Sequence, residues 1–474
     1  MKVMLVYPLA DQKRSSLNQG AWAPLGLSFI ASSLREAGHA VAVFDRYASQ
    51  ALPGAGKDEI NAAMLERIRD FKPDLIGFNT VSPLIYDTVE CIRLIRPLYT
   101  GILVAGGHHA SALPELTLKR IPELSGVVEG EGEEAMVKLA GGCDPLKIPG
   151  LWWRKGEEIL NSPPEQIKNL DLLPLPALDL LDMGFYCRPG RKIIRGHYLS
   201  AVSLLTSRGC SRRCSYCAES LTYGGGVRFH SPEYVLGWIR EAVEGLDVEG
   251  IYFHDNDFLI DQERAAKICE GILSAGKARG LKFAVQTRAD RINKGILNTL
   301  KKAGCVVIEL GVESAVQGEL DWMKKGSTVD ISERAVALCR EAGISVHAYI
   351  MSGLKGETLS DLDDKLDWLR KSRPDTFSWH NLQIFPGTLL YLEEGMDFFE
   401  KNDWSEENVK DYFRRDFLSS IPAKERREWM QKKYSPFKTR SWRLNVLRVN
   451  SPSRLLSVLK SMIADSSSRF FRDK

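Results

Sequence analysis

Thr206-Ser-Arg-Gly-Cys210-Ser-Arg-Arg-Cys214-Ser-Tyr-Cys217 puts three cysteines in one tight loop with the spacing C-x3-C-x2-C. The loop directly follows Val202-Ser-Leu-Leu-Thr206, an apolar run that reads as a buried strand. A closed structural zinc site takes four ligands, and a zinc ribbon would want a second C-x2-C pair roughly 15 to 20 residues away. The next cysteine downstream is Cys269, so Cys187 or His230 would have to be recruited through the fold. Three thiolates can instead hold three irons of a cubane cluster and leave the fourth iron open. An open iron is a place for a substrate or cofactor to bind.

The run before the loop is the first of six strand candidates, at 202–207, 250–255, 282–287, 306–311, 345–351 and 377–384, with helical segments between them. Ser231-Pro-Glu233 is a helix start, and Gly304 and Gly343 are helix stops. Six strand–helix units form three-quarters of a (β/α)8 barrel, and functional groups should gather at the strand C-termini. Those ends carry the cysteine loop, His254-Asp-Asn-Asp257, Gln286-Thr-Arg288, Glu313-Ser314, Gly353-Leu-Lys-Gly-Glu357, and Gln383 with Phe385-Pro-Gly-Thr388. All six ends are polar or glycine-rich, which points to one shared site.

Upstream, runs at 2–7, 40–45, 75–80, 102–105 and 126–129 alternate with amphipathic segments at 24–37 and 84–97. This is the pattern of a doubly wound, Rossmann-like parallel sheet, in which ligands bind beyond the carboxyl ends of the strands. The ends read Asn79-Thr-Val-Ser82, Gly106-Gly-His-His109 and Glu129-Gly-Glu-Gly-Glu133, small and polar enough for backbone to approach a large flat ligand. Neither G-x-G-x-x-G nor a P-loop is present, so a dinucleotide or ATP site is unsupported. The α/β chain therefore divides into an N-terminal domain at 1–145, a connector at 146–199 without clear period, a partial barrel at 200–395 and a helical C-terminal region at 396–474.

A length of 474 residues suits two or three domains, and 44% hydrophobic with 26% charged residues is the composition of a soluble globular protein. No apolar run approaches a bilayer span, and the first eight residues resemble a buried strand, not a signal peptide. A cytoplasmic location and reduced thiols are expected. A net charge of +3 gives no argument for a nucleic-acid partner. From Gln431 onward, however, eleven Lys or Arg face two Asp. The amphipathic stretch 452–463 is expected either to dock on the barrel as a lid or to touch anionic lipid.

Together with Pro24-Leu-Gly-Leu27, Gly38-His39, Gly311-Val-Glu-Ser314 and Gly353-Leu-Lys-Gly-Glu-Thr358, these motifs resemble the radical S-adenosylmethionine (SAM) enzymes, in the branch with an N-terminal cobalamin-binding domain. The resemblance covers about residues 1–395. It implies that Cys210, Cys214 and Cys217 ligate a 4Fe-4S cluster whose free iron chelates SAM, and that one electron then yields a 5′-deoxyadenosyl radical. By the same resemblance Tyr216 lies near the adenine, and Arg288, Glu313, Ser314, Gly353 and Glu357 contact SAM. Thr80, Ser82, Gly106, Gly107 and Glu131 resemble positions that line the cobalamin. The loop after the first strand lacks the D-x-H-x-x-G of proteins that ligate cobalamin through histidine. Lys355 stands where the family usually has proline, which removes a preset φ from that turn.

The implied reaction is hydrogen abstraction from an unreactive carbon followed by methyl transfer from cobalamin. The resemblance implies a small-molecule or lipid substrate and a one-electron reductant such as flavodoxin or ferredoxin. Radical ring formation or rearrangement is the alternative within this branch. A non-catalytic metal- or corrinoid-binding protein is the alternative from outside it.

Overall fold

A computed structural model describes residues 1–10, 22–50, 54–189, 193–219, 223–274 and 280–438, with Pro452, Leu455 and Leu456. The first sheet contains β1 (Lys2–Tyr7), β2 (Ala40–Asp45), β3 (Leu75–Asn79), β4 (Ile102–Gly106), β5 (Gly126–Val128), β6 (Leu151–Lys155) and β7 (Glu158–Asn161). Its order is β2-β1-β3-β4-β5-β6-β7. The first five strands are parallel. They are apolar throughout because both faces are covered. On β1, Val3 and Leu5 join a core under the helices Leu25–Glu36 and Glu133–Ala140, while Met4 and Val6 join the core on the opposite face. Alternate side chains of one strand thus feed two cores.

β6 and β7 are antiparallel and extend this sheet. They lie in the stretch expected to be a connector without strands. The rest of that stretch packs across both halves: Leu170, Leu173, Phe185 and Tyr186 enter the barrel's outer core, and the Tyr186 hydroxyl donates to Asp45 at 2.6 Å.

The second sheet matches the six expected strands: β8 (Ala201–Leu204), β11 (Gly250–Phe253), β12 (Lys282–Thr287), β13 (Cys305–Glu313), β14 (Ser345–Ser352) and β15 (Thr376–Asn381). All pairings are parallel, in the order β15-β14-β13-β12-β11-β8, and β8 and β15 form the two edges of an open barrel. The outer face packs on helices. The inner face carries Ala201, Tyr252, Ala284 and Val307, against which Ile193 and Ile194 of the connector are packed.

Beyond the barrel, Phe399, Trp404, Val409, Tyr412 and Phe413 share a core with Ile85 and Tyr86 of the first domain, while Ile421, Trp429 and Tyr434 cover the helix Leu359–Ser372. Most of the amphipathic stretch 452–463 lies outside the described residues. Among the described residues no helix is long and apolar enough to cross a membrane.

Candidate active site

The cysteine loop hangs between β9 (Ser207–Cys210) and β10 (Gly226–Phe229), a short antiparallel pair just after β8. Gly209, at φ +92°, makes the pairing possible, because a Cβ there would collide with the carbonyl oxygen of Gly226. The loop is held on its other side by Ser215 N–H donating to the Met323 carbonyl at 3.0 Å and by Leu390 N–H donating to the Ser215 carbonyl at 2.8 Å. Cys210, Cys214 and Cys217 are free and half-buried. Burial pushes the Cys217 thiol up to about 12, and raises that of Cys214 against the opposing pull of Lys325 and Arg288.

Beside the loop, a hollow of about 1590 Å³ occupies the carboxyl ends of β12 to β15. Tyr216, Gln286, Glu313, Tyr349, Trp379 and His380 line it, with Phe413, Arg414 and Met430 added by the C-terminal region. The β13–β14 register shifts between Gly311 and Glu313, and Glu313 sits at φ +66°. A non-glycine residue there costs on the order of 1–3 kcal/mol, a form of strain that collects at functional sites. The result is a carboxylate at the hollow, paired with Lys325 at 2.8 Å and sharing the lining with Tyr216. Below it the fully buried Glu309 accepts from Tyr252 at 3.1 Å and from Tyr349, with Arg195 Nε 3.5 Å away. Burial raises the Glu309 pKa despite that cation.

Other residues assigned by resemblance to SAM are spent on the scaffold and do not line the hollow. Arg288 donates to both Asp290 oxygens at 3.0 and 3.1 Å and to the carbonyls of Lys325 and Gly326 at 3.1 and 3.0 Å. It thereby fixes the segment that grips the cysteine loop. The buried Ser314 hydroxyl donates to Glu319 and accepts from Val316 N–H at 2.9 Å. Glu357 accepts from Gly353 N–H at 2.7 Å and pairs with Lys365, whose ammonium is fully buried and also reaches Glu319. Asp255 and Asp257 join strand ends, accepting from the Thr206 hydroxyl at 2.9 Å and the Thr287 hydroxyl at 2.6 Å.

A second, half-open cavity, about 850 Å³ with the space at its mouth included, lies at the β1/β3 switch point of the first sheet, where ligands of such sheets bind. Leu5, Phe78, Val104, Val128 and Met136 form its walls, and Gly26, Gly77, Gly106, Gly107 and Glu131 also line it. A Cβ at Gly77 would lie 3.0 Å from Leu5 and 3.3 Å from Met136. Thr80 and Ser82 do not line the cavity. The Thr80 hydroxyl donates to the Gly106 carbonyl at 2.8 Å and accepts from Ala110 N–H at 3.0 Å, and Ser82 contacts His109 at 3.0 Å. Burial lowers the His109 pKa to about 3, so this imidazole is neutral. Gly107, at φ +104°, would place a Cβ 2.8 Å from the Thr80 carbonyl. Gly107→Ala should cost about 1–3 kcal/mol in thermal unfolding. An unchanged melting temperature would refute that.

Leu205, Arg208 and Tyr223 close the cavity from the barrel side. Arg208 donates to Glu131 and Glu133, both at 2.6 Å, and Arg228 donates to Glu131 at 2.7 Å and to the Ile167 carbonyl at 2.6 Å. These side chains are largely removed from water. Burial opposes the Arg208 charge, but the two carboxylates hold it protonated. Glu131 therefore serves as an interdomain anchor as well as a wall.

The description "Radical SAM superfamily" matches residues 204–369, and "B12 binding domain" matches residues 18–140. The chain belongs to the B12-binding radical SAM proteins. An uncharacterized methyltransferase of Pyrococcus horikoshii is 28% identical over 82% of this chain and 82% of its own length. An anaerobic magnesium-protoporphyrin IX monomethyl ester cyclase of Cereibacter sphaeroides is 26% identical over 91% of this chain and 71% of its own. The solved radical SAM methyltransferase TsrM of Kitasatospora setae, with cobalamin and a 4Fe-4S cluster bound, has the same fold. It shares 21% identity at a TM-score of 0.69, covering 84% of this chain and 78% of that one.

The site of this radical SAM protein fits the family's cofactors. Among the described residues no three His, Cys, Asp or Glu converge on a single-ion site. A cubane makes no such demand, since each thiolate takes a different iron. The hollow beside the loop offers aromatic and polar groups for SAM, and the glycine-lined cavity offers apolar room for part of a cobalamin. Tyr349, Trp379, His380 and Arg414 at the hollow, and Arg208, Lys325 and Glu309 behind it, carry no motif that marks them in the sequence. The one signal available for Glu309 was a carboxylate inside an otherwise apolar strand.

Proposed function

We propose that this radical SAM protein is a cobalamin-dependent C-methyltransferase acting on a small molecule, with a one-electron donor such as flavodoxin or ferredoxin. The observation that carries the reading is Arg208, which walls the cobalamin cavity and stands two residues before Cys210 in the cluster loop. One short strand therefore borders both cofactor sites. When bound, the cluster and SAM supply a 5′-deoxyadenosyl radical, and cobalamin supplies a transferable methyl group. Cys210, Cys214 and Cys217 would hold the cluster. Tyr216 and Glu313 border the space for SAM, and Lys325 keeps the Glu313 carboxylate in place. Tyr349, Trp379 and His380 enclose the reacting part of the substrate, and Gly77, Gly106 and Gly107 leave room for the corrinoid.

The similarity to a magnesium-protoporphyrin cyclase supports a second reading, radical ring formation. SAM labelled in its methyl group separates the two. Carbon-bound label in the product is expected, and a product formed without label would overturn methyl transfer in favour of cyclisation. Anaerobic treatment with iron and sulfide should yield a coloured protein that cleaves SAM; a colourless, inert one would overturn both readings.

A further inference from the structure

The hollow at the barrel mouth carries little free charge apart from one residue. Glu313 is neutralised by Lys325, and burial lowers the His380 pKa, so that ring is uncharged at neutral pH. Arg414 is the remaining ionic group in the lining. It also lines an adjoining hollow of about 1010 Å³ formed with Arg415, Asp416, Phe417, Ala423, Arg426 and Arg427. Two of these arginines are matched, Arg426 by Asp416 and Arg415 by Asp411. Four guanidiniums against two carboxylates leave a net +2. Among the described residues Arg414 and Arg427 have no ion-pair partner.

The chain leading into Arg414 is nonetheless held in place. The Phe413 carbonyl accepts from Gln383 at 3.2 Å, and the buried Tyr412 donates its hydroxyl to the Ile384 carbonyl at 2.6 Å. The arginine hollow also lies against the Gly353–Glu357 turn, where a Cβ on Gly353 would be 3.1 Å from Asp416. Two guanidiniums without ion-pair partners, lining one hollow beside a reaction chamber, suit a dianion, because the planar fork of arginine binds phosphoryl oxygens in pairs. A phosphoryl group carries about −1.5 to −2 at neutral pH, close to the surplus here.

Resting on the functional reading above, we propose that the substrate bears a phosphate or diphosphate that Arg414 and Arg427 bind while its reacting carbon lies in the barrel mouth. Held remotely, such a group would orient the carbon without taking part in the chemistry.

The test is calorimetric titration of the full-length, cluster-loaded protein with inorganic diphosphate. Saturable binding should weaken at least about tenfold in Arg414→Gln and in Arg427→Gln. Both positions are exposed, so the fold, checked by circular dichroism, should be unaffected. Lys424→Gln, on the same helix but outside the lining, should bind as the parent does. No binding by the parent, undiminished binding by both arginine variants, or equal weakening by Lys424→Gln would each overturn the proposal. Cosedimentation with phosphatidylcholine vesicles containing phosphatidic acid identifies the source. Capture that depends on Arg427 means a lipid headgroup, and diphosphate binding without capture means a soluble phosphorylated substrate. SAM cleavage by the same parent preparation reports separately on the functional reading, so either can fail alone.

Discussion

Cys214→Ala should abolish both the visible absorbance of the reconstituted cluster and all formation of 5′-deoxyadenosine, while leaving the fold intact. Cys214 is one of three thiols in its loop, and no fourth cysteine lies there. Cys91, Cys187, Cys269, Cys305 and Cys339 are buried elsewhere as core side chains, and Cys143 is exposed at the surface of the first domain. The change removes a half-buried sulfur, and the loop keeps its fastenings at Ser215, Met323 and Leu390, so the loss in stability should be small. A variant that retained cluster absorbance would show that the thiolates are not the ligands.

Arg208→Gln should destabilise the chain by about 3–5 kcal/mol, the usual cost of leaving a buried charge without its partner. Glu131 would keep Arg228, but among the described residues Arg208 is the only ion-pair partner of Glu133. The double variant Arg208→Gln/Glu133→Gln should recover part of the loss, because removing both charges removes the uncompensated one. Denaturant unfolding followed by intrinsic fluorescence reads both. Cobalamin affinity should fall with the single variant too, since Arg208 walls that cavity. A loss below about 1 kcal/mol would place the contact with exposed ion pairs.

Parallel strands covered on both faces announce themselves as apolar runs, so eleven strands, five in the first sheet and six in the barrel, were legible. β6, β7, β9 and β10 were not: Trp152-Trp-Arg-Lys155 is an antiparallel addition whose outer residues meet water, and β9 and β10 are a short antiparallel pair of four residues each around the cysteine loop. At the site, the spacing of Cys210, Cys214 and Cys217 was enough to place the three candidate ligands in one loop, because it counts ligands in one dimension. Arg288 and Glu357 show the limit of that logic. A charged residue at a strand end looks the same in sequence whether it faces the mouth or turns back on the scaffold. What decides is the partner, and while Asp290 lies two positions from Arg288, Lys365 reaches Glu319 only across 46 residues. Arg208 finds Glu133 across 75.

That last pairing constrains how such a protein could be reshuffled. Exchanging the N-terminal half for that of a distant relative would graft Glu129-Gly-Glu-Gly-Glu133 or its equivalent onto a foreign strand before the cysteines, and any mismatch would strand a charge at the seam. The acidic loop and the two arginines that receive it would therefore have to be exchanged together, although they lie in halves of the chain that recombination could separate.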